Sequence, residues 1–264
     1  MINMSKLITI AIKQLNNTSS FKTTRDFINS LEISSATFLE NLIGTKREIV
    51  SFETLLIKNG IYNLITLSED VYIYIESQLK FYFPNITIQR EDDPIQNLKM
   101  YITEFELDNK LFNPLLTFEN FPGSDSVFSS YKELLNEQAD SDLTLVQLTL
   151  SKKEEGWQDK VVNNIENNSK KLGSVNSEST DSNLILDKIN YSCFDCSLRV
   201  ASTTNKNQIK INDLFNKTER QGRNKIIALP KKSLFNNSLD NLLDRTNKKA
   251  MTLNSSEIAT LWHI

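Results

Sequence analysis

The sequence predicts an α+β protein built from two βαββαβ units in tandem. Three observations carry this. The run Ser51–Gln89 reads as strand, tight turn, strand, helix and strand. A strand and a helix ahead of it complete a first unit, and a similar order begins again after residue 94. Apolar residues alternate in the strands and recur at helical spacing in the helices.

The first strand is Lys6–Gln14, apolar on most positions, as a buried strand requires. Thr23 or Thr24 is placed to cap a helix from Arg25 onward, with Phe27, Ile28, Leu31, Phe38, Leu39 and Leu42 on its apolar face and Gly44 as its stop. Phe52, Leu55 and Ile57 lead to Asn59-Gly60 and then to Ile61, Leu64 and Ile65. Asn-Gly favours the left-handed angles of a type I′ hairpin. Ser68 is placed to cap the next helix, with Glu69 and Asp70 in its positive first turn. Val71, Ile75, Leu79 and Tyr82 recur at helical spacing, Pro84 stops the helix, and Ile86 and Ile88 alternate as a last strand. Residues 1–93 therefore have the order of a ferredoxin-like split βαβ unit, an antiparallel sheet with two helices on one face.

Glu91-Asp92-Asp93-Pro94 interrupts the pattern, and residues 94–230 form the second expected unit. Leu98–Leu107 reads as a strand and Asn113–Gly123 as a loop with buried anchors. Asp125 is a candidate cap for a helix carrying Val127, Tyr131, Leu134 and Leu135, and Leu143–Leu150 is a strong strand. An insertion over roughly 152–190 follows. Trp157 anchors a short helix there, and Asn167–Asn183, rich in Ser, Asn and charge, reads as flexible. Phe194–Ala201 is a strand, Ile211–Arg220 a helix and Lys225–Leu229 the last strand. The tail 231–264 is basic at first and ends in a short helix capped by Asn254 or Ser255. Leu261, Trp262 and His263 at its end call for a surface to bury against, and a docked partner is the expectation.

Charge is unevenly spread. From Arg199 to Ala250 twelve Lys and Arg stand against four Asp and Glu, giving +8, so the remainder of a chain with net charge −3 carries −11. Lys231, Lys232, Lys248 and Lys249 are the candidate contacts to nucleic acid or an anionic membrane, with a plain solvated face as the alternative. Two cysteines make no disulfide scaffold, and no apolar run approaches the ~20 residues of a membrane span. A cytoplasmic protein is expected, reaching a membrane only through a complex.

No stretch matches a phosphate-cradling loop or a dinucleotide-binding glycine pattern. The single histidine, His263, stands beside the last residue, which argues against a catalytic base. Cys193-Phe194-Asp195-Cys196 is one C-x-x-C with no second pair or second site of ligands, so two buried thiols are expected rather than zinc. Glu91-Asp92-Asp93 is a candidate cation cluster, with a solvated acidic turn as its plain reading. No catalytic residue, cofactor or metal is assigned, and the chain is expected not to be an enzyme.

Several pieces occur in one order: SFE at 51–53, YFPNITI at 82–88, NPLLTFENF at 113–121 and LTLVQLTL from 143, with GWQDK at 156–160. FDCSLRV at 194–200, GRNKI at 222–226 and LNSSEIATLWHI at 253–264 complete the set. Together they resemble the N-terminal, non-ATPase region of TraG/TraD-like type IV secretion ATPases, the conjugative DNA-transfer proteins of the HerA–FtsK class. The resemblance implies a module that docks on or regulates a DNA-pumping P-loop motor, with DNA and the inner membrane as further partners. In that family the motor follows the Trp-His segment, and here the sequence stops. It therefore carries none of the ATP-binding residues, and a motor in a separate chain or a split gene is implied. A free-standing interaction or nucleic-acid-binding module is the alternative. Tyr62 is then the one aromatic candidate on the first hairpin.

Overall fold

The computed structural model describes residues 6–14, 20–33, 48–96, 98–108, 113–118, 127–153, 156–163, 178–216, 224–229, 238–247 and 251–264. It is a mixed α/β fold. In chain order the elements are β1 (Leu7–Gln14), α1 (Phe21–Asn29), β2 (Val50–Ile57), β3 (Gly60–Ser68), α2 (Tyr72–Tyr82), β4 (Ile86–Glu91) and β5 (Tyr101–Leu107). They continue as α3 (Val127–Glu137), β6 (Leu143–Lys152), α4 (Glu178–Ile189), β7 (Cys193–Ser202), α5 (Asn205–Asn216), β8 (Ile226–Ala228), α6 (Ser238–Leu243), β9 (Met251–Asn254) and α7 (Ser255–Leu261). A further helical stretch covers 157–163.

The nine strands form one sheet in the order β4-β1-β3-β2-β6-β7-β5-β8, with β9 added beside β7. Every pairing is antiparallel. Within each half the order is fourth, first, third, second, and the halves meet where β2 pairs with β6 over eight residues, Val50↔Leu150 to Ile57↔Leu143. The seam makes the two stretches of sequence one sheet and one core. β9 takes the first half of β7, at Cys193–Cys196, and β5 takes the second, at Leu198–Ser202.

Strand residues alternate between faces, and the faces differ. One cross-strand row runs Ile10–Ile65–Phe52–Leu148–Leu198–Phe105 over six strands, and all six are buried. Phe27, Ile75, Leu134, Ile211, Phe215, Ile258 and Trp262 from five of the helices and the chain end close over it. The other face carries polar rows and, among the described residues, two smaller apolar clusters, one of Leu145, Ala201, Ile95 and Leu242 and one of Cys193 with Trp157, Val161 and Ile189.

Several expectations are corrected in detail. In the hairpin Ile57 pairs with Gly60, so the loop residues are Lys58 and Asn59. Gly60 takes the positive φ, at 154°, and Asn59 does not, so the turn is not type I′. Ser20, not Thr23 or Thr24, caps α1, and its side chain accepts from Thr23 N. Ser68 precedes a 3₁₀ turn at Glu69–Val71, but its hydroxyl accepts from Ile49 N instead of capping. Residues 178–189, expected within a flexible insertion, are helical, because Leu184, Ile185 and Ile189 supply an apolar stripe. The helix that β7 leads into begins at Asn205, six residues earlier than expected. Phe38, Leu39, Leu42, Gly44 and Asp125 lie outside the described residues.

Candidate functional site

The C-terminal segment is where the sequence motifs meet. Asn254 has extended backbone and ends β9, so its side chain is free to accept from Glu257 N at 2.9 Å, while the Glu257 carboxylate accepts from Asn254 N at 2.8 Å. This capping box satisfies two amide groups that the start of α7 leaves without helical partners. The Glu257 carboxylate then reaches further. Its Oε1 accepts from Leu115 N at 2.5 Å, and its Oε2 lies 3.1 Å from Lys188 Nζ, with both side chains wholly buried. Lys188 Nζ also donates to Asn113 O at 3.3 Å, and Asn224 Nδ2 donates to the same carbonyl at 3.2 Å. Phe118 N donates to Thr260 Oγ1 at 3.0 Å. One buried carboxylate thus fastens α7, α4 and the loop at 113–118. Such a pair needs these extra hydrogen bonds, because two charges leaving water lose more hydration than a bare contact returns.

The last four residues continue inward. The Trp262 ring stacks on Phe52 with centroids 4.3 Å apart, and its Nε1 donates to Glu53 O at 3.2 Å. Leu261, Trp262 and Ile264 are buried. The expectation that Leu261, Trp262 and His263 form an outward docking surface is therefore corrected, since Trp262 buries against this chain's own sheet and His263 packs on its helix α1. His263 is half-buried, stacks on Phe21 at 4.1 Å between centroids, and places Nδ1 2.8 Å from Thr24 Oγ1. Burial lowers its pKa to about 4, which disfavours the charged ring.

A second polar centre lies on the opposite face of the sheet. Glu53, Gln147, Arg199 and Glu104 stand directly across from one another on β2, β6, β7 and β5. Gln147 Nε2 donates to Glu53 Oε1 at 3.2 Å, Arg199 Nη1 to Gln147 Oε1 at 3.1 Å, and Arg199 Nε to Glu104 Oε1 at 3.3 Å. Arg245 comes down on this row from the segment after α6. Its Nε donates to Glu53 Oε1 at 3.0 Å and its Nη1 to Asp93 Oδ2 at 2.5 Å. Burial opposes the charge on Arg245, but Glu53 and Asp93 outweigh it and raise its pKa, whereas burial dominates at Arg199 and lowers its own. Asp93, expected in a cation-binding or solvated turn, is instead held by Arg245 and by the Ile95 amide, which donates to its Oδ1 at 3.2 Å.

The two thiols are buried and free, as the sequence reading expects. Three residues apart on β7, they point to opposite faces. Cys196 joins the main core, and Cys193 packs with Trp157, Val161 and Ile189. Burial pushes the Cys193 pKa up to about 12 and raises that of Cys196 well above the ordinary thiol value. Tyr62 is 42% exposed on β3. Lys231, Lys232, Lys248 and Lys249 lie outside the described residues.

Sequence reasoning missed Lys188 and the row from Glu53 to Glu104. A lysine inside the apolar frame Leu184, Ile185 and Ile189, and acidic, amide and guanidinium residues at matched strand positions, were the signals available. Among the described residues no group of three or more His, Cys, Asp or Glu is placed to hold a metal ion, and no helix is long and apolar enough to cross a membrane. No protein-family model matches the chain, and no curated protein matches it. The class reached here is thus an α+β protein with one antiparallel sheet, a buried C-terminal clamp and a second buried polar row.

Proposed function

We propose that the chain is a non-catalytic N-terminal or accessory module of a conjugative DNA-transfer ATPase of the type IV secretion kind, which docks on or regulates a P-loop motor. The observation that supports this reading is a convergence. The motif at 51–53 meets Trp262, the loop at 113–118 meets Glu257 and Thr260, residues 193–196 pair with β9, and Asn224 shares the Asn113 carbonyl with Lys188. Pieces that together resemble that family thus serve one purpose, fixing the segment 251–264 to the sheet. In this reading each half is a ferredoxin-like unit, supported by the shared strand order.

With Trp262 inside, docking falls to outer surfaces. Ile73 and Phe81 on α2, 78% and 77% exposed, are the most exposed large apolar side chains among the described residues. The test mixes the purified chain with the P-loop protein encoded beside it and follows complex formation and ATP hydrolysis. A complex weakened by Ile73→Asp with Phe81→Asp supports the proposal, and failure to bind overturns it. A salt-dependent DNA affinity that is lost on neutralising Lys231, Lys232, Lys248 and Lys249 instead favours a nucleic-acid-binding module.

A further inference from the structure

The sheet face away from the main core is polar yet covered. Beside the row Glu53–Gln147–Arg199–Glu104 runs a row of hydroxyls, Thr9–Thr66–Ser51–Thr149–Ser197, over five strands, and all five are buried. Ser51 Oγ and Thr149 Oγ1 have no hydrogen-bond partner among the described residues. A buried hydroxyl without a partner loses its water and gains nothing in exchange.

Residues 238–247 lie over this face, and polar contacts hold most of their length. Leu242 O accepts from Gln147 Nε2 at 3.0 Å, and Thr246 O from Arg199 Nη2 at 2.5 Å. Arg245 joins Glu53 and Asp93. Asn247 Oδ1 accepts from Ser197 Oγ at 2.5 Å, and its Nδ2 donates to Asp195 O at 2.7 Å and to Ser151 Oγ at 3.2 Å. The apolar hold is limited to Leu242 and Leu243 against Leu145, Ala201 and their neighbours. Arg245 also has φ of 49°, the one positive φ outside glycine among the described residues, a backbone state that side chains disfavour.

We infer that residues 238–247 are a displaceable strap, which leaves the sheet and unwinds while the sheet stays folded, and so uncovers the polar face beneath it. The physical reason lies in what each contact gains. Hydrogen bonds and ion pairs exchange for water at small net cost, whereas apolar burial does not. Lifting releases the strained Arg245 backbone and lets water reach polar atoms on the face. The main core, on the other side of the sheet, loses nothing.

Native-state amide hydrogen exchange on the full chain tests this. Asp244 N, Arg245 N and Thr246 N, bonded to Asp240, Leu242 and Asn241 carbonyls, report on the strap, and the β6–β7 ladder reports on the sheet. The strap amides are expected to exchange at least about 100-fold faster than the ladder, a gap of two factors of ten in the opening equilibrium. Low denaturant is expected to leave their rate unchanged, since little surface is exposed. Arg245→Lys keeps the charge but loses the fork that spans two carboxylates. It is expected to speed the strap amides about tenfold and leave the ladder unchanged. Strap and ladder exchanging together, in the wild type or in Arg245→Lys, overturns the proposal.

Discussion

Replacing Lys188 by Met tests the C-terminal clamp. The side chains of Lys188 and Glu257 are wholly buried and 3.1 Å apart, so methionine leaves the Glu257 carboxylate buried without its counter-charge. Breaking such a pair costs about 3–5 kcal/mol. Here the carboxylate keeps the Leu115 and Asn254 amides, and the Asn113 carbonyl keeps Asn224, which places the loss at the lower end, about 3 kcal/mol. At this chain length that corresponds to a fall in Tm of roughly 6–12 °C. Urea unfolding at pH 7, followed by tryptophan fluorescence, is expected to show a lower midpoint with an unchanged slope. The double variant Lys188→Met/Glu257→Gln removes both charges and is expected to be more stable than Lys188→Met alone, with a coupling of about 2 kcal/mol. A Lys188→Met cost below about 1 kcal/mol, or a double variant whose cost equals the sum of the singles, refutes the clamp.

Trp262→Ala is expected to cost about 3–5 kcal/mol, while Trp262→Phe keeps the stack on Phe52, loses the bond to Glu53 O and costs about 1 kcal/mol. Weakened partner binding at undiminished stability would return Trp262 to a docking role. His263, the only histidine, has a folded pKa of about 4 against an ordinary value of 6.5. As pH falls through that window the unfolded chain takes up a proton that the folded chain refuses, so stability is lost between about 6.5 and 4, by on the order of 3 kcal/mol. Titration of its imidazole resonance checks the pKa, and His263→Gln is expected to flatten that part of the pH profile. Cys193 and Cys196 are expected to resist a thiol reagent at pH 8 in the folded chain and to react on unfolding, with no disulfide between them.

The fold was legible where one physical signal dominated. Alternating Ile8, Ile10 and Ile12, the strand Leu143–Leu150, and Asn254 ahead of Glu257 each state their structure locally. The seam between β2 and β6 was not legible, because a long-range strand pairing leaves no mark on either strand. Ser51, Glu53, Gln147, Thr149, Ser197 and Arg199 alternate with apolar neighbours and read as a solvent face. Only the structure brings Arg245 and Asn247 over them. The chain end shows the limit most plainly. Its hydrophobicity states that Trp262 must be buried, but hydrophobicity has no address and does not distinguish an outside partner from Phe52. Helix α4 was hidden by the Ser and Asn around it.

The joining of Phe52 to Trp262, 209 residues apart for the bond to Glu53 O, also sets an order of events during synthesis. While the ribosome makes the chain, β1 to β4 emerge first and can pair among themselves, but the ring of Phe52 has Phe27 beside it and lacks its stacking partner until residue 262 leaves the exit tunnel. β7 likewise waits for β9 along its first half. Closure over such spans is slow compared with local pairing. The nascent protein therefore carries an unsealed aromatic surface until residues 251–264 emerge, and a holding chaperone has a target there.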